Sequence, residues 1–347
     1  MAINSTSGAP STARPNFPQF DAIRALAVFS VMFAHFGGPA AARLAAVGLD
    51  CGALGVRCFY VLSGFLITTI LLADTSHSCR TAEIMKRFYA RRILRIFPLY
   101  YGVLAVGVII GIADVRDNLF WHASYLADWA GRGMGVTSHF WSLCVEEQFY
   151  LAWPIAVVGL RRRSAVSSLA VAIAISIIAA VTIPNPFLAR TAGSFAYLGT
   201  GCALALSRSG HLSGKALMGG AVLCLLPAVL VTTRTLGASA AGGARLWAYW
   251  DAVAFGVLIA RAAKGFSGFT GWILRLPPLR FVGRISYGVY VYHEFVPTAL
   301  RAVGGTFVAN ANPYLRALAY LGCTLLIATA SYFGFERMFL RLKERFE

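Results

Sequence analysis

Acidic charge is scarce in this sequence: 14 Asp and Glu stand against 31 Lys and Arg in 347 residues, a net charge of +17. Charged residues of both signs make up only 13% of the chain, about half the quarter usual in soluble proteins. Too little polar sequence remains for a separate soluble domain. Cysteine is sparse and scattered, with Cys51, Cys58, Cys79, Cys144, Cys202, Cys224 and Cys323 each alone. With no CxxC pair and no His–Cys spacing, neither a disulfide framework nor a metal module is implied. Most of these thiols read as small apolar packing residues. No internal repeat and no lectin-like segment is present.

What fills the chain is apolar. Hydrophobic residues account for 58%, mean hydropathy is +0.67, and runs long enough to span a bilayer recur from end to end. The expected fold is an all-α integral membrane protein, a bundle of about ten transmembrane helices. The spans fall near residues 20–38, 53–73, 96–113, 140–160, 165–183, 190–207, 216–233, 245–263, 284–302 and 315–335, with both termini cytoplasmic. Residues 1–19, rich in Ser, Pro, Ala and Asn, read as a disordered cytoplasmic tail. Residues 20–336 form the membrane domain and 337–347 a basic cytoplasmic tail. In this arrangement most Lys and Arg fall in cytoplasmic segments, among them Arg91, Arg92, Arg95, Arg161 to Arg163 and Arg341, as the positive-inside rule requires. The basicity therefore sets topology and attracts anionic lipid or a cytosolic anion; no nucleic-acid partner is expected. A cleaved signal peptide is the competing reading of residues 1–42, but the leader is long, its only basic residue before Arg24 is Arg14, and His35 interrupts the apolar run.

Four constellations place polar groups where a lipid-facing helix has none. In FDAIRALAVFSVMFAHF, Arg24 and His35 are eleven residues apart, about three helical turns plus roughly 20°, with a rise of about 16.5 Å. Both point from one face near opposite ends of a span, and ionisable groups there face a protein interior or a water-filled cavity. In FWSLCVEEQFYLAWP, Ser142, Glu146, Tyr150 and Trp153 share a face. Glu147 is turned about 100° away, so the two carboxylates are not expected to point squarely into one pocket. A carboxylate here serves either a structural helix–helix bond or the orientation of His35 as a general base. In KRFYARRILRIFPLY, Arg91, Arg92 and Arg95 cluster at the cytoplasmic mouth of a span, either as a topogenic anchor or as a phosphate clamp. In GRISYGVYVYHEF, Ser286, Tyr290 and His293 form one stripe and Tyr287 and Glu294 the next, read as a cavity lining. Ser63-Gly64 lies mid-span in FYVLSGFLIT, where close helix approach is the simplest explanation. Asp251 and Glu336 are weaker buried acids. Between Asp114 and His139 the longest far-side loop carries aromatics, including Trp121 and Trp129, read as interfacial anchors rather than a sugar platform. From these residues alone, a transporter or flippase for a glycan or small anion fits as well as an enzyme.

Taken in order, Arg24-x10-His35, FYVLSGFLIT, Arg92-x-x-Arg95 within RRILRIFPLY, WSLCVEEQFYL and GRISYGVYVYH resemble the membrane acyltransferase 3 family over residues 18 to 336. The resemblance implies transfer of an acyl group, usually acetyl from cytoplasmic acetyl-CoA, to a hydroxyl of a carbohydrate-type acceptor: a surface polysaccharide, a lipooligosaccharide or a glycosylated metabolite. It also implies residence in the bacterial inner membrane. His35, Glu146 and Arg24 are then the expected catalytic group, with His35 oriented by Glu146 as general base. Arg91, Arg92 and Arg95 hold the CoA phosphates; Ser63, Ser142, Glu147, Tyr150, Ser286, Tyr287, Tyr290 and His293 line the pore; no metal is expected. The chain departs from the family at Arg57, where many members carry Asp. Some members add a C-terminal SGNH hydrolase-like domain; as the chain reads to Glu347, acceptor modification is expected in the membrane domain itself or through a separate partner.

Overall fold

The computed structural model describes residues 17–75, 80–159, scattered positions between 169 and 182, 183–210 and 240–346. The expected spans at 165–183 and 216–233 lie largely or wholly outside these residues, as do most of the N-terminal leader, Cys79 and Cys224. Among the described residues every regular element is helical and none is a strand.

Helix α1, Phe20–Phe36, is followed at a 100° bend by α2, Gly38–Ala46. Helix α3, Cys51–Thr75, returns antiparallel to α1, and the Ser30 hydroxyl donates to the Cys51 carbonyl at 2.7 Å. Helix α4 runs Thr81–Ile109, longer than the expected span at 96–113, so the arginine cluster sits on the span's own helix. Short helices α5 (Ala113–Asp117) and α6 (Leu119–Ala123) fold the loop toward α7, Phe140–Pro154. Helix α8, Pro186–Arg208, starts as its sequence dictates: the Asn185 side chain accepts from the backbone N–H groups of Phe187 and Leu188, and Pro186 occupies the first turn, where its missing N–H costs nothing. Next come α9 (Ala240–Lys264), α10 (Gly268–Ile273), α11 (Pro277–Tyr292), α12 (Phe295–Asn310), α13 (Pro313–Ser331) and α14 (Arg337–Lys343). Among the described residues, α3, α4 and the continuous run Pro313–Phe346 are long and apolar enough to cross a membrane, and the bent α1–α2 pair is a fourth candidate. Exposed Val106, Leu318 and Leu326 present the apolar surface that lipid contact calls for.

Helices α3 and α8 cross at contact distance because neither carries a side chain at the crossing. A Cβ on Gly64 would lie 2.0 Å from the Leu198 carbonyl oxygen, and one on Gly201 2.0 Å from that of Val61. The close approach expected at Ser63-Gly64 is thus present, and it fixes the wall of α3 from which Ser63 projects.

One expected span is interrupted. The span at 284–302 is not continuous: α11 ends at Tyr292, His293 and Glu294 form a turn, and α12 begins at Phe295. Pro297 explains the break. It has no N–H for the His293 carbonyl and its ring crowds that carbonyl, so the helix cannot run through and restarts with proline in its first turn.

Candidate active site

Helices α1, α3, α4, α7 and α11 enclose a cavity of about 280 Å³. At one end stand Arg24, Arg91, Arg92, Arg95 and Lys343; along the walls are Ser63, Glu146, Glu147, Tyr150, Ser286 and Tyr287; at the other end are Ser142 and Tyr290. Segments far apart in sequence therefore contribute twelve of the residues expected at a site. Glu147 corrects one expectation: although turned from Glu146, it lines the same cavity, which is broad enough to take consecutive positions of α7. Trp153 shares the Glu146 face but is packed away, its indole N–H donating to Thr68 Oγ1 at 2.8 Å.

The basic end is differentiated. Arg24 donates to Asp21 at 2.8 Å. Arg91, 6% exposed, is held by Asp74 at 2.8 Å and by the Phe346 carbonyl at 3.1 Å. Arg92 instead lies over the Tyr150 and Phe88 rings, 5.1 and 5.6 Å from their centroids. Among the described residues neither Arg92 nor Arg95 is in a hydrogen bond or an ion pair. Two partly buried guanidinium groups thus border the cavity with their N–H donors unengaged, an arrangement that favours an anion. The C-terminal segment read as a tail is helical here: α14 packs on α4 and brings Lys343 to the cavity.

Glu146 accepts a hydrogen bond from the Ser63 hydroxyl, to which Tyr150 donates in turn at 3.2 Å. At the far end lies a knot of hydroxyls. The Tyr290 and Ser142 hydroxyls are 2.6 Å apart and each lies 3.1 Å from the His139 carbonyl, so one donates to that carbonyl and the other to its neighbouring hydroxyl, while Tyr60 donates to the Ser142 carbonyl at 3.2 Å.

His35 and His293 lie behind this knot and do not line the cavity. The expected pairing of His35 with Glu146 is also corrected: His35 Nδ1 is in direct contact with Glu294, and its side chain is 40% exposed. The break after Tyr292 is the cause, since it turns Glu294 toward the end of α1. The same break frees carbonyls that a continuous helix would use. Tyr290 O accepts from His293 Nδ1 at 2.6 Å, and Val291 O from His139 Nε2 at 3.1 Å. The three imidazoles form a file, with His139 to His293 and His293 to His35 centroid separations of 4.6 and 4.9 Å. Arg57 donates to Asp251 at 2.7 Å away from the cavity, a structural ion pair. Glu336 accepts from Ser331 and is likewise apart. Sequence reasoning missed Glu294 as the partner of His35 and missed His139 and Lys343. Pro297, three residues past Glu294, was the available signal for the first.

The family described as Acyltransferase domain matches residues 17–333, which contain every helix of the cavity except α14, and the chain belongs to this membrane acyltransferase family. Among curated proteins it is similar to the peptidoglycan O-acetyltransferase OatA of Listeria monocytogenes, 27% identical over 360 residues that cover 92% of this chain and 55% of that protein. It is similarly related to the O-acetyltransferase OatA of Staphylococcus aureus, 27% identical over 357 residues, covering 91% of this chain and 56% of that protein. The chain thus spans about half the length of the curated relatives it matches. No solved structure matches it significantly.

Proposed function

We propose that this protein is a multi-pass O-acyltransferase of the bacterial cytoplasmic membrane, with ten spans and both termini cytoplasmic, that moves an acetyl group from cytoplasmic acetyl-CoA to a hydroxyl of a carbohydrate-type acceptor. The observation that carries this reading is the pair of uncommitted guanidinium groups, Arg92 and Arg95, at one end of a cavity walled by Ser, Glu and Tyr. A phosphate-bearing donor calls for such a clamp; a small-anion transporter would as well, and the match to the acyltransferase family favours the enzyme. The volume is at the low end of ligand sites, suited to the slim acyl-pantetheine arm with the nucleotide outside, by Lys343 and Arg91. The two curated relatives named for O-acetylation support acetyl as the group, and a peptidoglycan-like glycan is the nearest model of the acceptor.

In this reading Arg92 and Arg95 hold phosphate oxygens, Arg24 and Ser63–Glu146 orient the arm, and the thioester lies beneath the Ser142–Tyr290 knot. His35, its Nδ1–H held by Glu294, takes the acceptor's hydroxyl proton at Nε2 from the exposed side. The acceptor oxygen bonds to the thioester carbonyl carbon, the C–S bond breaks, and the thiolate leaves as CoA after taking up a proton. The knot stands between the two half-sites, so its hydroxyls part for the acyl group to meet the acceptor and can then donate to the developing oxyanion. The test is acyl transfer in purified, reconstituted protein: Arg92→Ala with Arg95→Ala raises KM for acetyl-CoA, whereas an unchanged KM with altered topology makes the cluster an anchor only.

A further inference from the structure

The His35 end of the molecule holds a feature that the acyl-transfer reading does not use. His293 is completely buried, and its Nδ1 hydrogen bond to the Tyr290 carbonyl fixes the neutral tautomer whose Nε2 carries a lone pair. That Nε2 has no hydrogen-bond partner; it lies 3.8 Å from a Glu294 carboxylate oxygen, which also meets His35 Nδ1. The three ligand atoms are all within 4.8 Å of one another. A buried imidazole nitrogen left unpaired is costly, and an imidazole anchored through its other nitrogen by a backbone carbonyl is the usual arrangement around metal-bound histidine. Two imidazoles and one carboxylate make a donor set for a first-row dication of the zinc type, which takes such ligands at about 2.0–2.2 Å in tetrahedral array. Ligand atoms so held are roughly 3.3 Å apart, so small side-chain rotations close the site. The exposed flank of His35 leaves the fourth position to water.

We propose that His35, His293 and Glu294 form a zinc-type metal site opening on the far face, and that its occupation switches acyl transfer off. The second part rests on His35 being the base. A dication takes up the Nδ1 lone pair, so the single ring proton of neutral His35 moves from Nδ1 to Nε2, which can no longer accept one from the acceptor hydroxyl. The cation also takes Glu294 from its orienting role. Free dication on the far side thereby competes with catalysis at the group that performs it.

The experiment titrates tag-free, EDTA-stripped protein in nanodiscs with Co²⁺, reading the tetrahedral visible absorption, then competes with Zn²⁺. Expected are one site per chain and at least a tenfold weaker affinity in both His293→Gln and Glu294→Gln, each first shown to keep the wild-type melting temperature and elution volume. Unchanged affinity in these folded variants, or no tetrahedral spectrum in the wild type, overturns the site and leaves the base assignment untouched. In parallel, Zn²⁺ should suppress labelled acetyl transfer with the midpoint of its binding, and EDTA should restore it. Zinc binding at this site with undiminished transfer overturns the switch and counts against His35 as base, while the site itself stands. Stimulation of transfer by zinc overturns the switch in favour of a metal that assists the chemistry.

Discussion

Arg92 and Arg95 differ from Arg91, one turn or less away, in what already holds them. Arg91 is bonded to Asp74 and to the Phe346 carbonyl, so its removal should cost folding as well as binding. Replacing Arg92 or Arg95 removes a charge-assisted contact with an incoming phosphate, of about 1.5–3 kcal/mol. The expected outcome is a rise of about tenfold or more in KM for acetyl-CoA with kcat little changed, read from steady-state transfer. At the other end, His35→Ala should abolish transfer while membrane insertion, followed by protease protection, is intact. Glu294→Gln keeps the shape but weakens the hold on Nδ1, and should lower kcat more than it changes KM. Arg24, His35, Arg92 and Arg95 stand out in the sequence, since ionisable groups are expensive in a membrane unless paired or used. The partner of His35 was not readable in that way. Glu146 has the right chemistry and lies in the right motif, and only the turn forced by Pro297 shows that Glu294 reaches the imidazole first.

At the scale of elements, the α3–α8 crossing is the joint that sets the cavity wall. Gly64→Val drives a side chain into the Leu198 carbonyl, and no rotamer avoids backbone at 2.0 Å. This substitution should lower the melting temperature in detergent by several degrees or prevent accumulation altogether, whereas Gly322→Val, a position with open space around it, should do neither. Residues between α4 and α7 carry a pH balance. Burial pushes His122 down to about 4 and Asp128 up to about 6. Folding therefore favours neutral His122, which costs stability as pH falls from about 6.5 toward 4. It also favours protonated Asp128, which costs stability as pH rises from about 4 toward 6. The Asp128 slope opposes that of His122 over the same window, whereas buried His139, pushed down to about 3, adds a second slope of the histidine sign. In Asp128→Asn the histidine slopes are unopposed, so the loop should loosen more steeply than in the wild type as pH drops from 6.5 to 4.5, monitored by limited proteolysis. The aromatic loop was read from sequence as anchors alone. Exposed Trp129 fits that, but buried His122, Asp128 and His139 show a packed cover over the far end of the bundle. Such burial depends on contacts between α4, α6 and α7 that periodicity does not encode.

For the whole molecule, composition and hydrophobic runs dictated an all-helical membrane bundle, and five ordered motifs pointed to the acyltransferase family to which the chain belongs. What they did not convey is the division of the polar residues into two compartments. Twelve of the expected site residues share the cavity, whereas His35 and His293 sit behind the Tyr290–Ser142 knot. Spacing along single helices assigns faces but not depth, and the knot arises from hydroxyls on α7 and α11 meeting at the His139 carbonyl and one on α3 at the Ser142 carbonyl. If the account is right, donor and acceptor approach from opposite sides, so a reporter fused after Glu347 should read cytoplasmic while the acetylated acceptor accumulates on the far side. The central claim is tested most directly by incubating sealed, right-side-out and inverted vesicles carrying the reconstituted protein with radiolabelled acetyl-CoA and a soluble glycan acceptor pool. Label should reach the glycan only when acetyl-CoA is on the face bearing Arg92 and Arg95 and the glycan on the face bearing His35, and should be absent with His35→Ala. Label transferred with both substrates confined to the Arg92 face, or transfer that persists without His35, would contradict the account.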